Sequence, residues 1–162
     1  MAYDMFIDID GIPGESTDSK LKDKIDVFGF SWGVAQQGSL SHGNTNAVGK
    51  ADIRSLRFLK RTDASSHLLF INCVTGAYIK QATLIVRKQG GNPLEFLKIQ
   101  MSDIFVESFE LTGKPRSDNT HPEEEVGLAF STIKMLYARQ KDERTLDAYK
   151  EVGWSVKENK RL

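Results

Sequence analysis

The side chains best able to do chemistry in this 162-residue chain are scattered instead of gathered. Its three histidines, His42, His67 and His121, fall in a Gly/Ser-rich stretch, an apolar segment and a position before proline. No spacing sets two of them on one face, as metal ligation requires. Asp8, Asp10 and Glu15 resemble the opening of a calcium loop but lack its third acidic position and its distal bidentate glutamate. A strand end followed by a turn explains them more simply. The serine in Gly29-Phe30-Ser31-Trp32-Gly33 lies inside a strand pattern and not on a strand-to-helix elbow, so it has no nucleophile's setting. Cys73 sits among Phe70, Ile71 and Val74, the surroundings of a packing residue and not of a reactive thiolate. Gly90-Gly91 joins two strands and cradles no phosphate. Arg54, Arg57, Lys60 and Arg61 form the densest basic patch, but Asp52 and Asp63 flank it and no stacking aromatics alternate with it. A solvated or intersubunit face is the expectation. No catalytic set, cofactor site or metal site follows from these residues.

The elements that position them are mostly strands. Tyr3 to Ile9, Ile25 to Gln36, Ala51 to Arg61, Ile79 to Lys88, Pro93 to Leu111, Val126 to Arg139 and Glu151 to Asn159 alternate or run apolar at strand lengths, and Gln89-Gly90-Gly91-Asn92 is a hairpin turn. In the second of these, Phe28, Phe30, Trp32 and Val34 make a core face, while Gly29, Ser31 and Gly33 make a row of small side chains beyond Val27. Such a row weakens a strand unless another backbone, a ligand or a protein passes close to it. Two long strands change apolar phase midway. Leu97/Ile99/Met101 gives way to Ile104/Val106, which predicts a bulge or bend near Ser102 and Asp103, and Val126/Leu128/Phe130 gives way to Ile133/Met135/Tyr137. Val152, Trp154 and Val156 are expected to face inward. One helix is expected over about residues 63–75, with Asp63 as N-cap and Gly76 as its left-handed end. Leu68, Leu69, Phe70, Ile71, Cys73 and Val74 cover most of its circumference, which predicts protein on several sides. Gln37 to Lys50 is a loop long enough to be a contact with a second subunit. Lys141 to Lys150 reads as a charged connection or a helical turn.

These elements predict one mainly β domain over residues 1–162: a small β-barrel or two packed antiparallel sheets with one flanking helix. The 22 basic and 22 acidic side chains cancel. No field steers such a chain to nucleic acid or an anionic membrane, and no self-repulsion opposes self-association. The N-terminus lacks the pattern of a secretory signal, and no apolar run reaches membrane-spanning length. The chain is therefore expected in the cytoplasm unless dedicated machinery exports it.

Several stretches, taken in order, resemble the haemolysin-coregulated protein (Hcp) family, the tube-forming proteins of bacterial type VI secretion. They are MFIDIDGIPGES, IDVFGFSWG with the loop after it, VRKQGGNPLEFLKI, IFVESFELTG and EEVGLAFSTIKMLY. The resemblance covers essentially the whole chain. It implies a small β-barrel that closes into homo-hexameric rings, with rings stacked into a tube that a contractile sheath and baseplate drive out behind a tip spike protein. Small effector proteins would travel in the lumen. By resemblance, Gly29, Ser31 and Gly33 would face that lumen as a smooth wall. Ser39, Leu40, Ser41, His42, Asn44, Asn46 and Val48 would belong to an extended loop between subunits or stacked rings. Some relatives carry a C-terminal toxin domain; this chain stops soon after its final strand, so it is expected to be tube and carrier only. The alternatives are a monomeric barrel binding a small apolar ligand, and a small hydrolase using Asp8, Asp10 or Glu15, for which no paired acid and base can be found.

Overall fold

The computed structural model describes residues 2–39, 47–114 and 120–162. Its strands are β1 (Tyr3–Ile9), β2 (Ile25–Val27), β3 (Gly29–Ser31), β4 (Val34–Ala35), β5 (Gly38–Ser39), β6 (Ala47–Val48), β7 (Asp52–Ile53) and β8 (Leu56–Arg61). After helix α1 (Ser66–Thr75) come β9 (Ile79–Lys88), β10 (Glu95–Thr112), β11 (Glu123–Tyr137), β12 (Lys150–Ser155) and β13 (Lys160–Arg161). Nine of them form one antiparallel sheet in the order β13-β12-β11-β10-β9-β1-β2, with β8 branching from β11 and β3 from β8. That branch folds the sheet over on itself. β2 runs into β3 through Phe28 alone, whose N–H donates to Leu59 O at 3.0 Å, so the chain of pairings from β1 through β9, β10, β11 and β8 comes back to β1's neighbour. Ile7 of β1, Phe58 of β8, Leu84 of β9 and Leu128 of β11 meet in one fully buried core. The expected mainly β fold of antiparallel sheets with one flanking helix is what the chain adopts.

The phase changes in β10 and β11 have a physical cause. β11 is shared: Glu123 to Leu128 pair with β8, whereas Thr132 to Tyr137 pair with β12. A strand serving two directions must bend, and it does so where the sequence changes phase. Met101 and Ile133 are buried partners on one side of the bend, Ile104 and Phe130 partners on the other. Asp103, between them, has a φ of 52°, and the Ser102 and Thr132 hydroxyls hydrogen-bond across the ladder. The bend predicted near Ser102 and Asp103 is present.

The helix departs from its predicted role. It begins at Ser66, with Ser65 at the N-cap position, and ends at Gly76 with φ 62°. Asp63 caps a turn ahead of it instead: its Oδ1 accepts from Ser65 N–H at 2.8 Å, and its own N–H donates to Ser66 Oγ at 2.9 Å. Only Leu69 is fully buried, packing with Leu68 and Cys73 onto the core. Phe70, Ile71 and Val74 are 55%, 47% and 66% exposed. The apolar circumference therefore marks a helix with one side packed on the sheet and the other largely exposed in the single chain.

Candidate functional site

Residues directly opposite in neighbouring strands point to the same side of a sheet, so register assigns the outer face of β3, β8, β11 and β10. Gly29 stands opposite Leu59 and Ser31 opposite Arg57. Arg57 and Gly127 are partners, as are Gly127 and Ser108, and Phe105 and Ala129. Gly29 and Ser31 thus share a face with Arg57, Gly127, Ala129 and Phe105. Gly33, just past β3, joins Ser31, Asp52, Arg54, Arg57 and Glu107 around an open crevice of about 520 Å³. The three residues predicted as one row are brought to one region. It is not uniformly smooth, because Arg57 Nη1 donates to Glu125 Oε1 at 3.1 Å across it and Phe105 is 46% exposed. Gly127 leaves room for its neighbour on the flat part: a Cβ there would lie 2.5 Å from Ser108 Oγ and would make that hydroxyl rotate away. The sequence signal for Glu125 and Gly127 was present in the alternation of β11, but only the pairing with β8 shows which side they share with Ser31.

The opposite row of that predicted strand breaks at Phe28. Ile25 and Val27 are buried, the chain bends, and then Phe30 and Trp32 pack on the core. Phe28 and Val34 are exposed, at 44% and 52%, where a core face had been expected. Val34 instead lines an apolar groove of about 380 Å³ with Trp32, Ile53, Met135, Val152 and Trp154. Val152, predicted inward, is 51% exposed there. Beyond the groove, the stretch predicted as a loop is partly strand. β4 pairs with β7 and β5 with β6, and Gly49 N–H donates to Gln37 O at 2.9 Å. These ladders make a two-stranded arm with Ser39 and Val48 near its far end. Leu40, Ser41, His42, Asn44 and Asn46 lie outside the described residues.

Lys60 is the largest departure in the basic patch. Expected with its neighbours on a solvated or intersubunit face, it is completely buried within the chain, and its Nζ contacts Glu124 Oε2 at 2.5 Å, Asp63 Oδ1 at 3.0 Å and Ser66 Oγ at 3.1 Å. Glu124 is 1% exposed, and its Oε1 has no hydrogen-bond partner. Alternation along β8 places Lys60 with Leu56 and Phe58, and nothing nearby in sequence announces Glu124. The cluster ties β8, β11 and the turn before α1 into one unit. A second charged anchor holds the segment between β1 and β2: Arg87, 5% exposed, makes paired bonds to Asp18 at 2.9 and 2.5 Å and lies 4.7 Å over the Phe6 ring. The Arg87 hydrogen bond holds the Asp18 carboxyl well below the usual carboxylate range.

Two of the three acidic candidates near the N-terminus, Asp8 and Glu15, are similarly occupied, while Asp10 is exposed at the turn after β1. Asp8 pairs with Lys24 at 2.9 Å, and Glu15 accepts from Ala64 N–H at 3.0 Å. Among the described residues no group of three or more His, Cys, Asp or Glu could hold a metal ion. No helix of the described residues is long and apolar enough to cross a membrane.

Residues 6–137 match the family described as type VI secretion system effector, Hcp. Protein Hcp1 of Pseudomonas aeruginosa is 35% identical over 161 residues, 98% of each chain. The chain belongs to the Hcp family of type VI secretion proteins. The solved structures agree along its whole length. Hcp1 from Salmonella typhimurium superposes with a TM-score of 0.83 at 35% identity, covering 100% of both chains. A structure described as a type six secretion system protein reaches 0.93 at 28% identity, over 99% of this chain and 100% of that one. The Hcp match spans the bent β10–β11 pair, the helix and the Ser31 face alike.

Proposed function

We propose that this Hcp protein is a tube subunit: six copies close into a ring, rings stack, and the Gly29, Ser31 and Gly33 face lines a lumen that carries small effector proteins. The single observation behind this reading is the correspondence with Hcp relatives over nearly the entire chain. In the same reading the β4–β7 arm contacts a neighbouring subunit or ring, and the tube works with a tip spike, a contractile sheath and a baseplate, leaving the cell by the type VI route without catalysis of its own. The exposed surface supports self-association. Phe70, Ile71, Val74 and Tyr78 are exposed at and just after the helix, and Val34, Met135 and Val152 at the groove, two apolar clusters of the kind that mark association surfaces. The interior favours the tube over the alternative apolar-ligand barrel, because Ile7, Leu56, Phe58, Leu84 and Leu128 fill the core without exposure.

The test is the solution mass by size exclusion with light scattering, followed by negative-stain imaging of the peak. A ring of six with a central hole is the expected result. A monomer at every concentration tried removes the proposal.

A further inference from the structure

The face that carries Ser31 keeps a charge after its internal pairs are counted. Arg57 is taken by Glu125 at 3.1 Å, and Arg61 stands opposite Glu123 in the β8–β11 register. Asp52 and Arg54 line the same crevice and offset one another. Two carboxylates are left. Glu107 is the extra residue of the bulge between Val106 and Ser108, and it lines the crevice with Ser31 and Arg57. Glu110 is exposed directly opposite Glu125, an arrangement of like charges that weakens a sheet. Neither Glu107 nor Glu110 is ion-paired among the described residues. Beside them Phe105 stands over Ala129, a partner too small to cover its ring.

We propose that this wall takes a basic polypeptide segment that presents an apolar side chain next to its lysines or arginines. Glu107 and Glu110 meet the cations and Phe105 meets the apolar group. The proposal rests on the reading of the Ser31 face as the lumen wall and adds the chemistry of its occupant. It follows from complementarity: a surface with surplus carboxylates raises the local concentration of cations and repels acidic chains. The single large exposed aromatic supplies contact area that the small residues around it cannot.

The experiment uses the assembled full-length protein and two fluorescein-labelled peptides, one alternating leucine with lysine and one alternating leucine with glutamate, read by anisotropy. The lysine peptide is expected to bind and the glutamate peptide not to. Binding should weaken as salt rises toward physiological strength, where exposed charges are screened over about 8 Å. The double substitution Glu107→Gln/Glu110→Gln should weaken it about fivefold, counting the two charges at the strength of exposed ion pairs. Phe105→Ser should reduce the binding that survives at high salt. Equal binding of the two peptides, or an unchanged Kd in the Glu107→Gln/Glu110→Gln protein, overturns the proposal. The lumen reading is tested separately with Ser31→Cys in a Cys73→Ser background. An enclosed wall admits a small maleimide and excludes one carrying a bulky polymer. If both reagents react while peptide selectivity persists, the enclosure fails and the charge proposal stands. If the bulky reagent is excluded and selectivity is absent, the reverse holds.

Discussion

Replacing Lys60 by methionine is the most decisive perturbation of this fold. The substitution keeps most of the side-chain volume and removes the one cation that holds the Glu124 and Asp63 carboxylates together. Asp63, 12% exposed, retains bonds from the Ser65 N–H and hydroxyl. Glu124 has no such fallback, since its Oε1 is already unpartnered and its Oε2 would lose its contact at 2.5 Å. Breaking a buried pair from one side costs about 3–5 kcal/mol, and the lower end applies here because Asp63 brings the cluster near the surface. At about 2–4 °C per kcal/mol for a chain of this size, a loss of about 3 kcal/mol lowers Tm by about 6–12 °C. The assay is urea unfolding at fixed protein concentration, because any assembly would make stability depend on that concentration. The companion Lys60→Met/Glu124→Leu protein removes both charges and should recover to within about 1 kcal/mol of the parent. The reasoning is refuted if Lys60→Met alone costs under about 1 kcal/mol, or if the double variant is no more stable than the single one.

Three further outcomes are expected. Leu69→Ala deletes the only fully buried side chain of α1 and should cost about 2–5 kcal/mol, with hydrogen exchange showing residues 66–75 loosened before the strands. Gly14→Ala would place a Cβ 2.5 Å from Lys24 O and 2.6 Å from Ile25 Cα, backbone atoms that cannot rotate away, so a loss of about 1–3 kcal/mol in urea unfolding is expected. Gly33→Ala, which meets nothing within 4 Å, is its neutral control. Asp18→Asn should flatten the acid limb of stability. Because the folded pKa of Asp18 is depressed, its contribution is complete above the ordinary value of 3.8 and is lost as pH falls toward the folded value. An Asp18→Asn protein with the same acid profile as the parent would remove Arg87 from that role.

The strands were legible because their signal is local. Alternation in β9 gave its two ends to the residue, and the phase slip at Ser102 and Asp103 located a bend that the backbone makes at Asp103. The helix was legible as a helix but not in its surroundings. Apolar residues all around a helix say that each side touches something apolar. They do not say whether that something is the same chain: Phe70 meets the Phe109 ring at 6.2 Å between centroids, yet Phe70, Ile71 and Val74 all stay largely exposed. The break at Phe28 was hidden for a related reason: a strand that leaves β1 for β8 keeps its alternation on both sides, and only the change of partner reveals the turn between them.

What the candidate site adds to the sequence is pairing at long range. Lys60 and Glu124 lie 64 residues apart, so no window along the chain could show that an apparent surface lysine is the centre of a buried charge cluster. Ser31, Arg57, Gly127 and Ser108 reach one face through three successive registers. A one-residue slip in any of them would send the set to opposite sides. The bulge at Glu107 is such a slip, confined to one strand. It leaves the pairing around it intact and puts a carboxylate at the crevice beside Ser31. The small residues therefore set how closely a neighbour can approach this wall, while the bulge, the Arg57–Glu125 pair and the facing Arg61 and Glu123 set its charge. A change in Glu107 or Glu110 can retune that charge without repacking the core, because neither side chain is buried.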